Sequence, residues 1–284
     1  MNHEQIVAKI KDTVITAGST FTADKIAKYE QAIKEETNEN AAWVLKTILK
    51  NAQVAEKLRI PLCDDTRIPH VFIELGKNRS LSGAMMESIR VGIKEGLQGL
   101  PGRPMAIKGN DLQRVDQSGG LDTDPGAVEL APMIIKDSPE DDLLRVHVLL
   151  LGGGPAIRGK TQRIFHRHDL DVFTDEIVEW ATEGVAKLGC QPCTLAIGVG
   201  RSQFEATSLM MEAQVFGNHM VQNELEETIT RRVNEAKIGP LNLGGDHSVL
   251  ATFMKIGPQR ASGIRVVSVR PNCNIEPRIA RVDL

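Results

Sequence analysis

The residues best suited to chemistry in this sequence are its four cysteines, which stand in polar, turn-forming surroundings. Cys63 lies in PLCDDT, Cys190 and Cys193 flank the turn in GCQPC, and Cys273 lies in RPNCN. A free cysteine is most often a small buried hydrophobe, but Asp and Asn residues beside these thiols are not typical core neighbours. Thiolates bind soft metals, so these contexts indicate a metal or redox site assembled from distant loops.

The C-x2-C spacing of Cys190 and Cys193 also suits a zinc site or a redox-active dithiol. The sequence supplies no second C-x2-C pair, no histidine pair at zinc-ligand spacing and no thioredoxin-like context. Cysteines distributed over three loops fit an iron–sulfur cluster better than zinc. A cluster held by three cysteines leaves one iron open as a Lewis acid for a substrate's hydroxyl and carboxylate groups.

Charged residues near these loops are candidates for moving protons and binding anions. Asp64 and Asp65 directly follow Cys63, where a carboxylate can transfer a proton or orient a nucleophile. Arg103, in LPGRPMAI, offers a bidentate contact to a carboxylate. By residue type alone, an exposed solubilising arginine is the more common case.

Three consecutive glycines, Gly152, Gly153 and Gly154, follow the buried apolar segment LLRVHVLLL. Glycine lets the backbone approach a ligand closely and leaves its N–H groups available to an anion. The run lacks the lysine of a P-loop and the spacing of a dinucleotide fingerprint, so an ordinary tight turn explains it at least as well. Binding of a phosphorylated ligand is the function that this run alone would favour.

Helices and strands alternate around these motifs. Apolar residues recur every three or four positions from Glu4 to Leu58, which predicts a helical N-terminal part over about residues 1–58. Further helices are expected near 84–97, 172–188 and 204–237, and strands before Gly76, at 143–151, after Cys193 and at 265–273. The sequence contains no repeat, low-complexity tract or clear linker. It therefore predicts an α+β fold of mixed helices and sheet, in a single large domain over residues 1–284.

The composition excludes several classes of function. The chain has 284 residues, 41% of them hydrophobic, and its 34 Lys and Arg nearly balance 37 Asp and Glu, for a formal net charge of −3. This balance provides no general attraction for nucleic acid or an anionic membrane. The N-terminus is polar and lacks the apolar core of a secretory signal. No apolar run in the sequence is long enough to span a bilayer. We therefore expect a cytoplasmic protein with reduced thiols.

Together, these motifs resemble the alpha subunit of the class I, iron–sulfur fumarate hydratase and L-tartrate dehydratase family. The resemblance covers essentially the whole chain and rests on PLCDDT, LPGRPMAI, LGGGPA, GCQPCTLAIGVGRS, NLGGDHSVLA and a last cysteine near the C-terminus. It implies a [4Fe–4S] cluster whose metal ligands are Cys63, Cys190 and Cys273. Cys193 is then a bystander.

The resemblance also implies roles at a substrate. Asp65 matches the family's proton-handling aspartate, Asp64 is a second catalytic candidate, and Arg103 matches the substrate-carboxylate arginine. The glycine run at 152–154 matches backbone that lines the substrate site. The expected reaction is the reversible hydration and dehydration of a dicarboxylic acid such as fumarate or malate. Because the sequence ends soon after Cys273, a separate beta subunit in an α/β hetero-oligomer is expected to supply the remaining groups.

Departures from the family pattern leave the substrate open. Arg67 replaces the usual Gly after the Asp-Thr pair, Gln191 replaces the first Pro of the cysteine turn, and GPQRASG stands where the family often has a histidine. L-Tartrate and a methylated fumarate are therefore alternatives to fumarate. A non-catalytic zinc or iron–sulfur module is the alternative from another class.

Overall fold

The computed structural model describes residues 1–65, 67–100, 102–103 and 105–284. It divides into two compact units, each built from separate stretches of the chain. The first unit contains Met1–Thr20, Ala52–Gly153 and Arg278–Leu284, and the second contains Phe21–Asn51 and Gly154–Pro277. Among the residues described, no helix is long and apolar enough to cross a membrane.

Helices and strands alternate after a helical N-terminal part. The helices are α1 (His3–Ser19), α2 (Ala23–Glu35), α3 (Glu39–Leu58), α4 (Gly83–Gln98), α5 (Asp111–Asp116), α6 (Gly153–Ala156), α7 (Leu170–Ala186), α8 (Gln203–Phe216) and α9 (Glu224–Asn234). The strands are β1 (Ile68–Leu75), β2 (Ile134–Asp137), β3 (Leu144–Leu151), β4 (Lys160–Phe165), β5 (Cys193–Gly200), β6 (Val249–Ile256), β7 (Ile264–Asn272) and β8 (Arg278–Asp283). The predicted α+β class and the helical N-terminal part are confirmed.

The first unit is a four-stranded sheet, in the order β2–β1–β3–β8, with α1 and α4 packed together beside it. Its core joins apolar side chains of both helices to those of β1 and β3. The two helices approach closely at Gly92 and Gly96. A Cβ at Gly92 would lie 2.7 Å from the Cβ of Ile10, and one at Gly96 would lie 2.5 Å from that of Val14. Larger residues at these two positions would force the helices apart.

The second unit contains a four-stranded sheet in the order β4–β7–β5–β6. Strand β5 is buried along its whole length, and it pairs parallel with β6 and antiparallel with β7. Helix α8 packs directly on β5 because Gly198 has no side chain, since a Cβ there would lie 1.9 Å from the carbonyl oxygen of Ala206. Helices α7 and α9 contribute Ile177 and Ile229 to the same core. This packing fixes the two strand ends that carry cysteines.

The sequence predicts a single large domain, and no linker sequence marks the division into compact units. The chain passes between the units four times, between Thr20 and Phe21, within α3, within α6 and between Pro277 and Arg278. Linker composition identifies only boundaries that fall in exposed connections. Linker composition gives no sign of the two units because each is built from separate stretches of the chain.

The single helix predicted over 204–237 is wrong, because α8 and α9 are separate helices. Helix α8 ends at the capping residue Gly217. Helix α9 begins with a capping box in which Asn223 Oδ1 accepts from the Glu226 N–H at 3.0 Å and the Glu226 carboxylate accepts from the Asn223 N–H at 2.9 Å. This capping box satisfies the first N–H groups of a new helix and overrides the apparent helical period.

Candidate functional site

In the first unit, Cys63, Asp64 and Asp65 lie in the loop between α3 and β1, as the sequence predicts. The Cys63 side chain is partly exposed. Its Sγ accepts from the backbone N–H of Asp65 at 3.5 Å, and the thiol donates to Asp64 Oδ1 at 3.8 Å. The N–H of buried Leu62 donates to the carbonyl of Gly18 at 2.9 Å and anchors the loop to the end of α1. The thiol is thus presented from a fixed backbone.

Arg103 reaches the same loop and pairs with Asp65. Its Nη2 donates to Asp65 Oδ1 at 2.6 Å, and the two side chains are 53% and 27% exposed. The hydrogen bond to Asp65 raises the pKa of Arg103 above its ordinary value, with the charges of Asp65, Asp64 and Cys63 acting in the same direction. The structure therefore brings Arg103, which the sequence identified separately, to the loop of Cys63 and Asp65.

Two buried arginines lie beside this loop. Arg67 is 5% exposed and Arg278 is 1% exposed. Burial, and then the positive charge of Arg278, lower the pKa of Arg67 to about 10, while the charges of Cys63 and Asp64 act in the opposite direction. Sequence reasoning noted Arg67 only as a departure from a family pattern and missed Arg278. The position of Arg67, two residues after Asp65 and directly before the apolar strand β1, is the sequence feature that could have identified it.

In the second unit, Cys190 and Cys273 lie at the same end of adjacent strands. Strand β5 begins just after Cys190, β7 ends just before Cys273, and Thr194 of β5 pairs with Asn272 of β7. The backbone N–H of Asn274 donates to the carbonyl of Cys190 at 2.9 Å and joins the two turns. Cys190 is exposed and Cys273 is partly exposed.

Cys193 differs from the other cysteines in its surroundings. It is 0% exposed and belongs to the apolar core of the second unit. Burial, and then the nearby Cys273, raise the pKa of the Cys193 thiol well above its ordinary value. A thiol that resists ionisation is a poor metal ligand. The structure thus gives Cys193 the role of a core residue.

The turn that carries Cys273 is held by buried side chains of α2. Tyr29 Oη donates to the carbonyl of Asn274 at 2.8 Å, and Lys25 Nζ donates to that of Glu276 at 2.7 Å. Tyr29 is 0% exposed and Lys25 is 1% exposed. The sequence analysis missed both, because neither has a local pattern that links α2 to a turn more than two hundred residues away.

A buried ion pair supports the same turn from within. Arg270 Nη2 donates to Glu276 Oε2 at 3.0 Å, and its Nε donates to Asn272 Oδ1 at 2.9 Å. Arg270, Glu276 and Asn272 are all buried. Removing one partner of such a pair leaves an uncompensated charge in the interior. The backbone on either side of Cys273 is therefore strongly constrained.

The glycine run joins β3 to α6. Gly152 follows the strand and Gly153 begins the short helix. In the described part of the chain, the glycines with positive φ do not include any of this run, so backbone strain does not require glycine here. A Cβ at Gly154 would meet no atom within 4 Å, and the space beside its backbone is open. That the run binds substrate stays a prediction.

A buried Asp–His–Thr chain lies inside the second unit and was missed by the sequence analysis. His219 Nδ1 contacts Asp24 Oδ2 at 2.7 Å, and its Nε2 contacts Thr194 Oγ1 at 3.0 Å. His219 is 3% exposed and Thr194 is 1% exposed. Burial lowers the pKa of His219 to about 4, against the opposing effect of its hydrogen bond to Asp24. These contacts join α2 and β5 to the segment that follows α8.

Comparison with known proteins shows the family of this chain. The family model described as fumarate hydratase (fumerase) matches residues 7–282, nearly the whole chain. The chain belongs to the fumarate hydratase family. This membership supports a hydro-lyase of the fumarate and tartrate type.

Curated members of the fumarate hydratase family resemble the chain over most of their length. The L(+)-tartrate dehydratase subunit alpha of Escherichia coli K12 is 24% identical over 281 residues, which are 93% of this chain and 88% of that protein. A protein of Methanocaldococcus jannaschii, provisionally named as the same subunit, is 26% identical over 259 residues, 87% of this chain and 88% of its own. The predicted resemblance to the family and to its alpha subunit is confirmed.

The metal site of this family member remains a prediction. Within the described ranges, no group of three or more His, Cys, Asp or Glu side chains is arranged to hold a metal ion. Cys190 and Cys273 share one end of a sheet in the second unit, and Cys63 is a partly exposed thiol of the first. Accessible thiols have the donor chemistry that an iron–sulfur cluster requires.

Proposed function

We propose that this chain is the cluster-binding subunit of a hydro-lyase that reversibly hydrates a dicarboxylic acid such as fumarate. The observation that carries the proposal is the 2.6 Å pair between Arg103 and Asp65, next to the accessible thiol of Cys63. A cation for a carboxylate and a carboxylate for a proton are the two groups that such a substrate requires. L-Tartrate is a second candidate substrate, because relatives matched over 88% of their length carry that name.

The proposed cofactor is a [4Fe–4S] cluster with Cys63, Cys190 and Cys273 as ligands. The donor set supports it, because these three thiols are exposed or partly exposed while the fourth cysteine is buried. When bound, a cluster with three protein ligands would supply a Lewis-acidic iron that polarises a substrate carbon–oxygen bond. Thiol ligands must stay reduced, so the proposal includes a cytoplasmic location.

Asp65 and Arg103 would have different roles at the substrate. Asp65 Oδ1 accepts from Arg103, and we assign the proton taken from the substrate carbon during dehydration to Asp65 Oδ2. Arg103 uses Nη2 for Asp65, and its other N–H donors are assigned to a substrate carboxylate. Asp64, which accepts from the Cys63 thiol, is a further proton-transfer candidate. The glycines at 152–154 would offer backbone N–H groups to the same substrate.

The proposed partner is a separate beta subunit. The relatives that match the chain are named as alpha subunits, and this supports an α/β hetero-oligomer in which the second polypeptide adds substrate-binding groups. The proposal requires no nucleic acid and no membrane.

Anaerobic co-expression of the chain with a candidate beta subunit tests the proposal. We expect iron and sulfide in the purified complex, broad visible absorbance, and turnover of fumarate, malate or L-tartrate. Cys63→Ser should abolish the absorbance and the turnover, while Cys193→Ala should keep both. A complex that binds zinc, or a cluster without turnover of any dicarboxylate, would instead support the non-catalytic module.

A further inference from the structure

Arg67 and Arg278 form a pair of buried cations in the first unit. Both belong to the described part of that unit, and each is at least nine-tenths buried. Arg278 Nε donates to the carbonyl of Leu150 at 2.9 Å, which fixes this guanidinium against the end of β3. The positive charge of Arg278 acts on Arg67. Both guanidinium groups are buried, and repulsion between like charges is stronger in a low-dielectric environment than in water.

The guanidinium of Arg67 packs against the segment that carries Arg103. A Cβ placed on Gly102 would lie 1.8 Å from Arg67 Nη2 and 2.6 Å from its Cζ. Only glycine permits this approach of a guanidinium to the backbone. Arg67 therefore follows Asp65 by two residues, and its guanidinium lies against the segment that carries Arg103.

Arg67 has a buried guanidinium nitrogen that lacks a hydrogen-bond partner. This atom is Nη1, and the charges of Cys63 and Asp64 favour the charged form of the side chain. With a pKa of about 10, set first by burial and then by Arg278, the group stays protonated at neutral pH. A buried N–H donor without a partner is unfavourable. A carboxylate of the ligand would accept a hydrogen bond from this nitrogen.

We propose that Arg67 binds a carboxylate of the substrate, in addition to the carboxylate assigned to Arg103. A dicarboxylate is then held at both ends, by Arg67 and by Arg103. The planar guanidinium matches a carboxylate with two parallel hydrogen bonds. Arg278 is a positioning residue that acts through Arg67. This inference rests on the proposed function and adds a determinant of preference for two carboxylates over one.

The test compares Arg67→Met and Arg67→Lys with Arg90→Met in the assembled, cluster-loaded enzyme. Arg90 lies on α4 of the same unit with a 53% exposed side chain and serves as the matched control. The measurements are KM and kcat for the turned-over dicarboxylate, and the Kd values of succinate and butyrate as unreactive dicarboxylate and monocarboxylate probes. We expect R67M to raise KM and the succinate Kd about tenfold or more, with a smaller change in kcat and little change for butyrate.

Two further outcomes separate binding from folding. Replacing the buried cation by Met is expected to leave the unfolding free energy equal or higher. R67K, which keeps the charge but loses the planar fork, should raise the succinate Kd about threefold or more. Succinate Kd values for R67M and R67K within about twofold of wild type, as for R90M, overturn the inference while the proposed function stands. A wild-type complex inactive on every dicarboxylate overturns both.

Discussion

Arg103 donates to the carboxylate of Asp65 at 2.6 Å across 38 residues of sequence. The contact joins the segment after α4 to the loop before β1, and it turns two separately identified residues into one polar pair. Because both side chains remain partly exposed, the pair contributes little to folding. Its value lies in holding a carboxylate and a cation ready for a ligand at a cysteine-bearing loop.

Replacing Arg103 by Met is expected to weaken dicarboxylate binding without unfolding the protein. Loss of a charged contact to the substrate should raise KM about tenfold or more. Loss of an exposed ion pair should change the free energy of unfolding by less than about 1 kcal/mol. Steady-state kinetics and urea unfolding measure the two effects. Arg201→Met, which breaks the exposed pair with Glu205, is the control, and an R103M enzyme with the KM of wild type would exclude the assigned role.

Serine substitutions are expected to divide the cysteines into two classes. Cys63→Ser, Cys190→Ser and Cys273→Ser should each lose the cluster, because each removes a proposed thiolate ligand. Cys193→Ala should retain it, since Cys193 lies in the apolar core. Iron and sulfide content and visible absorbance after anaerobic reconstitution provide the measurement. Loss of the cluster in C193A, with the fold intact by circular dichroism, would contradict this division.

Tyr29→Phe is expected to lower the free energy of unfolding by about 1–2 kcal/mol, because the carbonyl of Asn274 loses the hydroxyl donor of a buried side chain. Guanidinium unfolding followed by far-UV circular dichroism measures the change. Thr47→Val is a matched control that removes an exposed hydroxyl donor to the carbonyl of Trp43. It should change the free energy by less than about 0.5 kcal/mol. Equal effects of Y29F and T47V would show that α2 does not brace the Cys273 turn.

The stability of the protein is expected to fall as pH is lowered from about 6.5 to about 4. His219 has an ordinary pKa of 6.5 and a pKa of about 4 in the folded protein, so the unfolded chain binds the extra proton between these values. Its contribution is therefore complete above the unfolded pKa and is lost toward the folded one. The pKa of Asp24 is also lowered, from 3.8, and affects a more acidic range.

The free energy of unfolding at several pH values between 4 and 7 tests this expectation. His219→Gln should flatten the pH dependence in that window. His147, whose pKa is lowered by burial despite its hydrogen bond to Glu74, titrates in the same direction, so His147→Gln measures the background. A pH dependence in H219Q equal to that of wild type would assign the effect to other groups.

Local signals explain what the sequence could predict. The loop of Cys63 is bounded by proline and charged residues, and the apolar run before Gly152 forms β3. Both features depend on neighbours in sequence. The helical period of the first 58 residues likewise requires no long-range information.

The remaining features depend on pairings that sequence spacing does not encode. Arg278 meets Leu150 because β8 pairs with β3, and Tyr29 meets Asn274 only once α2 is packed. A helical period also continued across 217–223, where the capping residue Asn223 starts a new helix. Asp65 and Arg103 were identified as separate candidates, but their contact required the fold.

The order of strands in the first unit has a consequence for synthesis on the ribosome. Strand β8 is the neighbour of β3, yet residues 154–277 of the other unit are translated between them. While those residues emerge, one side of β3 exposes unpaired backbone groups, a condition that favours association between chains. The nascent chain therefore passes through an aggregation-prone interval that closes only when β8 is made, and slower translation before residue 278 would lengthen it.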